Sequence, residues 1–302
     1  MLTKLVAVLL VATAAMASVV TDVIQALQAG NFGLAEAYVA RYRSSYGVTP
    51  EMIEALSWIG RGFLETRQFD KADANAQEVQ RLALDQLKRR RLDAEPHLPL
   101  ALGAAIEVRA RLLVAKGDRN GALALLNSEL GTYKNTSLTP RLQKNVNLLS
   151  LEGKAAPALE VREFLGPKPL PLASLRGKPV LLYFWAHWCS DCKDEEPILV
   201  QLQREYANKG LVLLAPTQRY GYVARGEEAG PAAELKYMEQ VRHVYLADLL
   251  QVPAPVSEAN FEAYGASTVP TLVLIDRRGI VRLYHPGVMS LDQLRAALNR
   301  LG

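Results

Sequence analysis

The sequence predicts a two-domain chain: an all-α helical N-terminal half, then an α/β domain built on a central mixed sheet. Three observations predict it. From Val19 to about Gly153 apolar residues recur at i, i+3 and i+4 with no strand-like alternation, the period of helices with one buried face. From Gly153 to Pro179 the texture changes, and Pro157, Pro167, Pro169, Pro171 and Pro179 rule out a long helix. Beyond Pro179 short apolar runs alternate with helical stretches, as in a sheet covered by helices. With 302 residues, half of them apolar, the chain can bury two cores.

Residues 1–17 read as a signal peptide. Lys4 is a short positive region, Leu5 to Ala15 an apolar run, and Ala15-Met16-Ala17 a small-residue cleavage site before Ser18. An uncleaved anchor is the alternative, although the run falls short of the ~20 residues that span a bilayer. Either way the expected location is periplasmic or otherwise exported, where disulfides persist.

The helical domain is assigned to residues 18–152, with helices expected at 21–29, 33–44, 50–66, 71–91, 98–115, 120–130 and 140–151. Gly30, Gly47, Pro96, Gly117 and Gly131 punctuate them. Asn31-Phe32-x-x-Ala35, Gln68-Phe69-x-x-Ala72 and Asp118-Arg119-x-x-Ala122 each follow one helix and open another. They resemble the turns of tetratricopeptide-like (TPR-like) hairpins, but irregular spacing leaves a plain bundle equally open. Both would offer a surface for a partner protein or peptide. The excess of 35 Lys+Arg over 31 Asp+Glu, +4, is scattered. The one dense basic run, Lys88-Arg89-Arg90-Arg91, reads as a solvated helix face, and no base-reading motif accompanies it, so no nucleic-acid partner is expected.

The α/β domain is assigned to residues 153–302. Its expected elements are a strand at Leu159-Glu160-Val161 in a short hairpin and a buried strand at 180–185. A helix at 190–209, a strand at 211–215 and a loop at 216–230 follow. A helix at 232–250, an extended piece at 252–256 and a helix at 257–264 capped by Ser257 come next. A hairpin of 271–276 with 280–284 and a closing helix at 290–301 capped by Ser290 complete it.

The chemistry centres on the only two cysteines, Cys189 and Cys192, placed where a strand ends and a helix begins. A thiol in the first turn of a helix meets free N–H groups and the positive end of the dipole, so it ionises more easily. Cys189 can attack a disulfide, and Cys192 can then resolve the mixed disulfide. The other reading of the pair is an inert structural bridge, which would close too little chain to stabilise much.

Trp188-Cys189-x-x-Cys192-Lys193, preceded by Phe184-Trp185-Ala186 and followed by Pro197, resembles the active site of thioredoxin-like proteins, above all the TlpA/ResA-type extracytoplasmic thiol–disulfide oxidoreductases. Tyr264 to Thr271, Leu272 to Tyr284 and Leu175 to Val180 resemble further segments of that family, and the likeness covers roughly residues 153–302. It implies a β-α-β-(α)-β-β-α layout with residues 211–250 enlarged. Cys189 would be the nucleophile and Cys192 the resolving thiol. Pro270 would be the cis-proline that packs on the disulfide, and Val269 would present its backbone to substrate. Glu195 matches an acid kept near the site and would accept a proton from Cys192. It reads equally well as an exposed member of Asp194-Glu195-Glu196. Tyr183 stands where thioredoxins proper carry an aspartate.

Trp185 and Trp188 would shield the sulfurs, and His187, two residues before Cys189, would either tune the thiol pKa or, the favoured reading, be exposed. Tyr220 and Tyr222, on a loop leaving the same end of the sheet, would touch a bound partner or pack in a solvent loop. Asp191 beside both thiols disfavours thiolate and so argues for a reducing potential. Two thiolates with His187 or His285 offer a thin Cu(I) or Zn option, but no spacing supports a closed site. No metal and no cofactor beyond the Cys189–Cys192 disulfide is expected.

The function predicted is reduction of protein disulfides, with a membrane thiol carrier as electron donor. The rivals are a helical-repeat scaffold with a redox docking module, and a dedicated thiol reductant for copper or cytochrome c assembly.

Overall fold

The structure, a computed structural model, describes residues 18–301. The signal-peptide reading of residues 1–17 lies outside the described residues. Among them, no helix is long and apolar enough to cross a membrane. The chain forms two compact units that meet between Val108 and Arg109.

The first unit holds α1 (Val19–Gln28), α2 (Phe32–Tyr46), α3 (Pro50–Glu65), α4 (Phe69–Leu87) and the opening of α5 (His97–Ala115). Local chemistry sets the ends: the Ser18, Asn31 and Thr49 side chains accept from Val20, Leu34 and Met52 N–H, and Pro50 opens α3. In α3, Met52, Ile53, Ala55 and Ile59 are buried, and α1, α2 and α4 pack around it. Ala35 and Ala72 are fully buried, as the helix openings suggested. The helix expected over 71–91 ends at Leu87, so the basic run is a turn past its C-terminus and not a helix face. Cations are favoured at that negative end of the dipole.

The second unit begins with the end of α5, then α6 (Arg119–Thr132) and α7 (Thr139–Ser150). A mixed sheet runs β3–β2–β5–β6. Its strands are β2 (Val180–Phe184), β3 (Val212–Leu214), β5 (Thr271–Ile275) and β6 (Val281–Pro286). Strand β2 is parallel to β3, in register Val180 to Val212, and antiparallel to β5, with Leu182 opposite Val273. Every residue of β2 and β5 is buried, because helices cover both faces, which explains their unbroken apolar runs.

On one face Leu181 and Tyr183 pack with α9 (Glu196–Tyr206), α10 (Pro231–Tyr245) and α12 (Leu291–Asn299). On the other, Val180, Leu182 and Phe184 pack with Phe261 and Tyr264 of α11 (Glu258–Tyr264). Helix α7 packs on α11, and Gly265 makes this possible. Its φ is +59°, and a Cβ there would lie 2.2 Å from the Lys144 nitrogen.

Several sequence-derived boundaries change. No strand forms at 159–161, because the Glu160 backbone N–H and C=O are both taken by the Asn260 side chain, at 2.7 and 2.9 Å. The short strand is instead β1 (Phe164–Leu165), paired antiparallel with β4 (Ala254–Pro255). The helix expected over 190–209 breaks into α8 (Ser190–Asp194) and α9 at Glu195, since Pro197 has no N–H to continue the ladder. Helix α10 stops at Tyr245, and buried Arg242 donates to the carbonyls of Leu249, Leu250 and Val252 in the turn beyond it. Ser257 precedes α11 but makes no side-chain cap bond, whereas Ser290 and Gln293 close a full capping box at α12.

Candidate active site

The end of β2 carries the chain to the cysteines. Trp185 fixes that step: its backbone N–H donates to Pro216 at 3.1 Å, and its indole N–H to the Ala215 carbonyl at 3.0 Å. The Thr217 hydroxyl donates back to Trp185 O at 2.9 Å. Cys189 then sits just before α8 and is joined to Cys192 in a disulfide, with Cα atoms 5.3 Å apart. Both cysteines are buried. The Cys192 N–H donates to Cys189 Sγ at 3.1 Å, a bond that favours negative charge on that sulfur. The Val269–Pro270 peptide is cis, and the Val269 carbonyl oxygen lies 3.6 Å from Cys189 Sγ. Val269 is therefore at the sulfur, with Pro270 next to it in the chain.

Glu195 is 2% exposed, which decides between its two readings. Its Oε1 accepts from Met289 N–H at 3.0 Å, while Oε2 has no partner. Burial pushes the carboxyl up to about 7, the Met289 bond pulls it down, and the Asp191 charge adds to the rise. Tyr183, buried in β2, donates its hydroxyl to the Cys192 carbonyl. Burial, then the charges of Glu195 and Glu196, hold that phenol well above its usual range. Tyr183 thus supplies a fixed hydrogen bond where an aspartate would supply a base.

The segment before Cys189 departs from expectation. His187 is 1% exposed and not a solvent residue. Its Nε2 lies 3.2 Å from Glu234 Oε1, and burial outweighs that carboxylate to depress the imidazole pKa. Its ring meets Tyr220, Tyr222 and Tyr237 edge-on at 5.5, 5.3 and 5.4 Å. The 216–230 loop therefore reaches the cysteine segment, and Trp188 meets Tyr220 at 5.5 Å. Trp185 is buried, but Trp188, next to Cys189 in the chain, is 49% exposed.

Sequence reasoning did not single out Glu234 or Arg242. Each is one charged residue in an amphipathic helix, and the only signal was enlargement of the segment that carries them. Among the described residues, no group of three or more His, Cys, Asp or Glu could hold a metal ion.

A thioredoxin-like domain family model matches residues 168–302. The chain is 30% identical over 149 residues to the thioredoxin-like protein YneN of Bacillus subtilis (strain 168), covering 49% of this chain and 79% of that one. It is 34% identical over 138 residues to the thiol:disulfide interchange protein DsbE of Pseudomonas fluorescens biotype C, covering 46% and 68%. It is 28% identical over 163 residues to the thiol-disulfide oxidoreductase ResA of Oceanobacillus iheyensis, covering 52% and 76%. With a cysteine pair at the end of β2, a cis Val269–Pro270 peptide whose Val269 carbonyl lies at Cys189, and these relatives, the chain belongs to the thioredoxin-like family of thiol–disulfide oxidoreductases.

Proposed function

We propose that this enzyme reduces disulfides in exported proteins, with Cys189 as nucleophile, Cys192 as resolving thiol and Glu195 as proton acceptor. The observation that carries the reading is the environment of the pair. A buried carboxylate with a free oxygen, Glu195, stands three residues after Cys192 in the chain, and the Val269 carbonyl lies at Cys189. In the reduced enzyme, Cys189 thiolate attacks a substrate sulfur. The substrate S–S bond breaks, a mixed disulfide forms, and the first substrate sulfur leaves as a thiolate that takes a proton from solvent. Cys192 then gives its proton to Glu195 and attacks Cys189 Sγ. The Cys189–Cys192 bond forms and the second substrate thiol departs. Two electrons pass from the dithiol to the substrate.

Asp191 next to Cys192 disfavours a thiolate in the reduced pair. This supports a reductant over an oxidant. Val269 and Pro270 would hold an extended substrate segment, with Trp188, Tyr220 and Tyr222 along it. In this reading residues 18–152 are a helical domain that engages a partner, and residues 153–302 the redox domain. The signal peptide delivers the chain to the periplasm, and a membrane thiol carrier restores the dithiol.

The test is the reduction potential of the pair by equilibration with dithiothreitol. A value near or below about −270 mV supports the reductant, and one near about −120 mV makes the protein a disulfide donor. Capture on Cys192→Ala then separates one dominant mixed-disulfide partner, a dedicated substrate, from many.

A further inference from the structure

One buried pair beside the dithiol has no part in the exchange steps. Glu234 lies in the first turn of α10, 47 residues from His187 in sequence, and each is 1% exposed. Three N–H groups reach its two oxygens: His187 Nε2 at 3.2 Å and Tyr220 N at 2.5 Å on Oε1, and Gly221 N at 2.9 Å on Oε2. A buried carboxylate needs such compensation. All three donors come from the two segments that build the approach to Cys189, the cysteine-bearing segment and the 216–230 loop. The carboxylate also fixes the His187 tautomer and ring plane, and three tyrosine rings pack on that ring. Trp188, next to Cys189 and 49% exposed, closes the row against Tyr220. Outside this row lies an open cavity of about 650 Å³ lined by Tyr220, Tyr222, Gly226 and Glu228 among others.

We propose that Glu234, acting through His187 and the loop amides, holds an aromatic wall beside Cys189, and that this wall selects disulfides flanked by an aromatic residue. Glu234 touches neither sulfur and is a positioning residue. The rim that a substrate meets, Trp188, Tyr220 and Tyr222, is made of ring edges and faces, which pair with another ring in edge or offset contact. The inference rests on Cys189 being the attacking thiol.

The probes are two disulfide-linked dimers of one hexapeptide, with Phe or Ser beside the cysteine. The enzyme is reduced with dithiothreitol, desalted and mixed with each dimer. Its dithiol becomes the Cys189–Cys192 disulfide, the peptide S–S bond breaks, and two peptide thiols leave with the two dithiol protons. The wild type should favour the Phe dimer about tenfold, the upper reach of one aromatic pair. In Glu234→Gln that preference should fall below about twofold through weaker saturation by the Phe dimer. The dithiol potential should stay in place, and the Tyr220 and Gly221 amides should exchange with deuterium faster. His187→Gln, which leaves both loop amides on Glu234, should move the preference the same way and carries the test if Glu234→Gln does not fold. A wild type indifferent to the flanking residue, or variants that keep the full preference, overturns the wall. If the reduced wild type transfers electrons to neither dimer, the exchange reading itself fails.

Discussion

Two buried glutamates, one three residues after Cys192 and one held against His187, are equipped for opposite tasks. Glu195 has one donor, from Met289, and one empty oxygen. Glu234 has three donors spread over both oxygens. Burial alone does not decide what a carboxylate does. An under-supplied one is held near neutrality and can take a proton, whereas a fully supplied one binds segments together.

The baseline for that contrast is Cys189→Ser, which should abolish all turnover while leaving both glutamates in place, read by loss of peptide disulfide reduction. Glu234→Gln should cost about 1–3 kcal/mol of folding stability, because an amide has one acceptor oxygen where the three buried donors now share two, read from urea denaturation midpoints. An unchanged midpoint would erase the distinction between the two sites.

Glu195→Gln should act the other way on stability. The folded carboxyl titrates at about 7, above its unfolded value of 4.5, so the wild type loses stability as pH rises through that window. The variant should be level with the wild type at pH 4 and more stable by about 3 kcal/mol at pH 8, from the same denaturation series. Its exchange rate at pH 8 should fall about 100-fold, the low end for a general base, and lose the rise through pH 7 seen in the wild type. Tyr183→Phe is the smallest expected change, about 1 kcal/mol from one lost hydrogen bond to the Cys192 carbonyl. A larger loss would show Tyr183 to be coupled to Glu195.

The sequence was most legible where a signal is local. Cys189, Cys192 and Pro270 sit in contiguous motifs, and the strands that carry them are unbroken apolar runs. The helices from α1 to α7 follow a period that a window of residues contains. Glu195 remained open between buried and exposed, because its surroundings are set by Met289, distant in the chain. His187 read as exposed because its partners arrive from a loop and a helix far downstream. The 159–161 strand failed for the same reason: one asparagine a hundred residues away consumed its hydrogen bonds. Periodicity reports which face is buried, not which distant polar group meets it.

Gly265 carries a consequence for where the redox region can be cut. With no room for even a methyl group against the backbone of α7, Gly265 lets that helix seat closely on α11, where Asn147 also donates to the Ala263 carbonyl. A segment lifted out at residue 153 would leave the socket vacant and the α11 face uncovered. Helix α7 lies within the compact unit that runs from Arg109 onward, so its seat on α11 belongs to the same unit as the redox region.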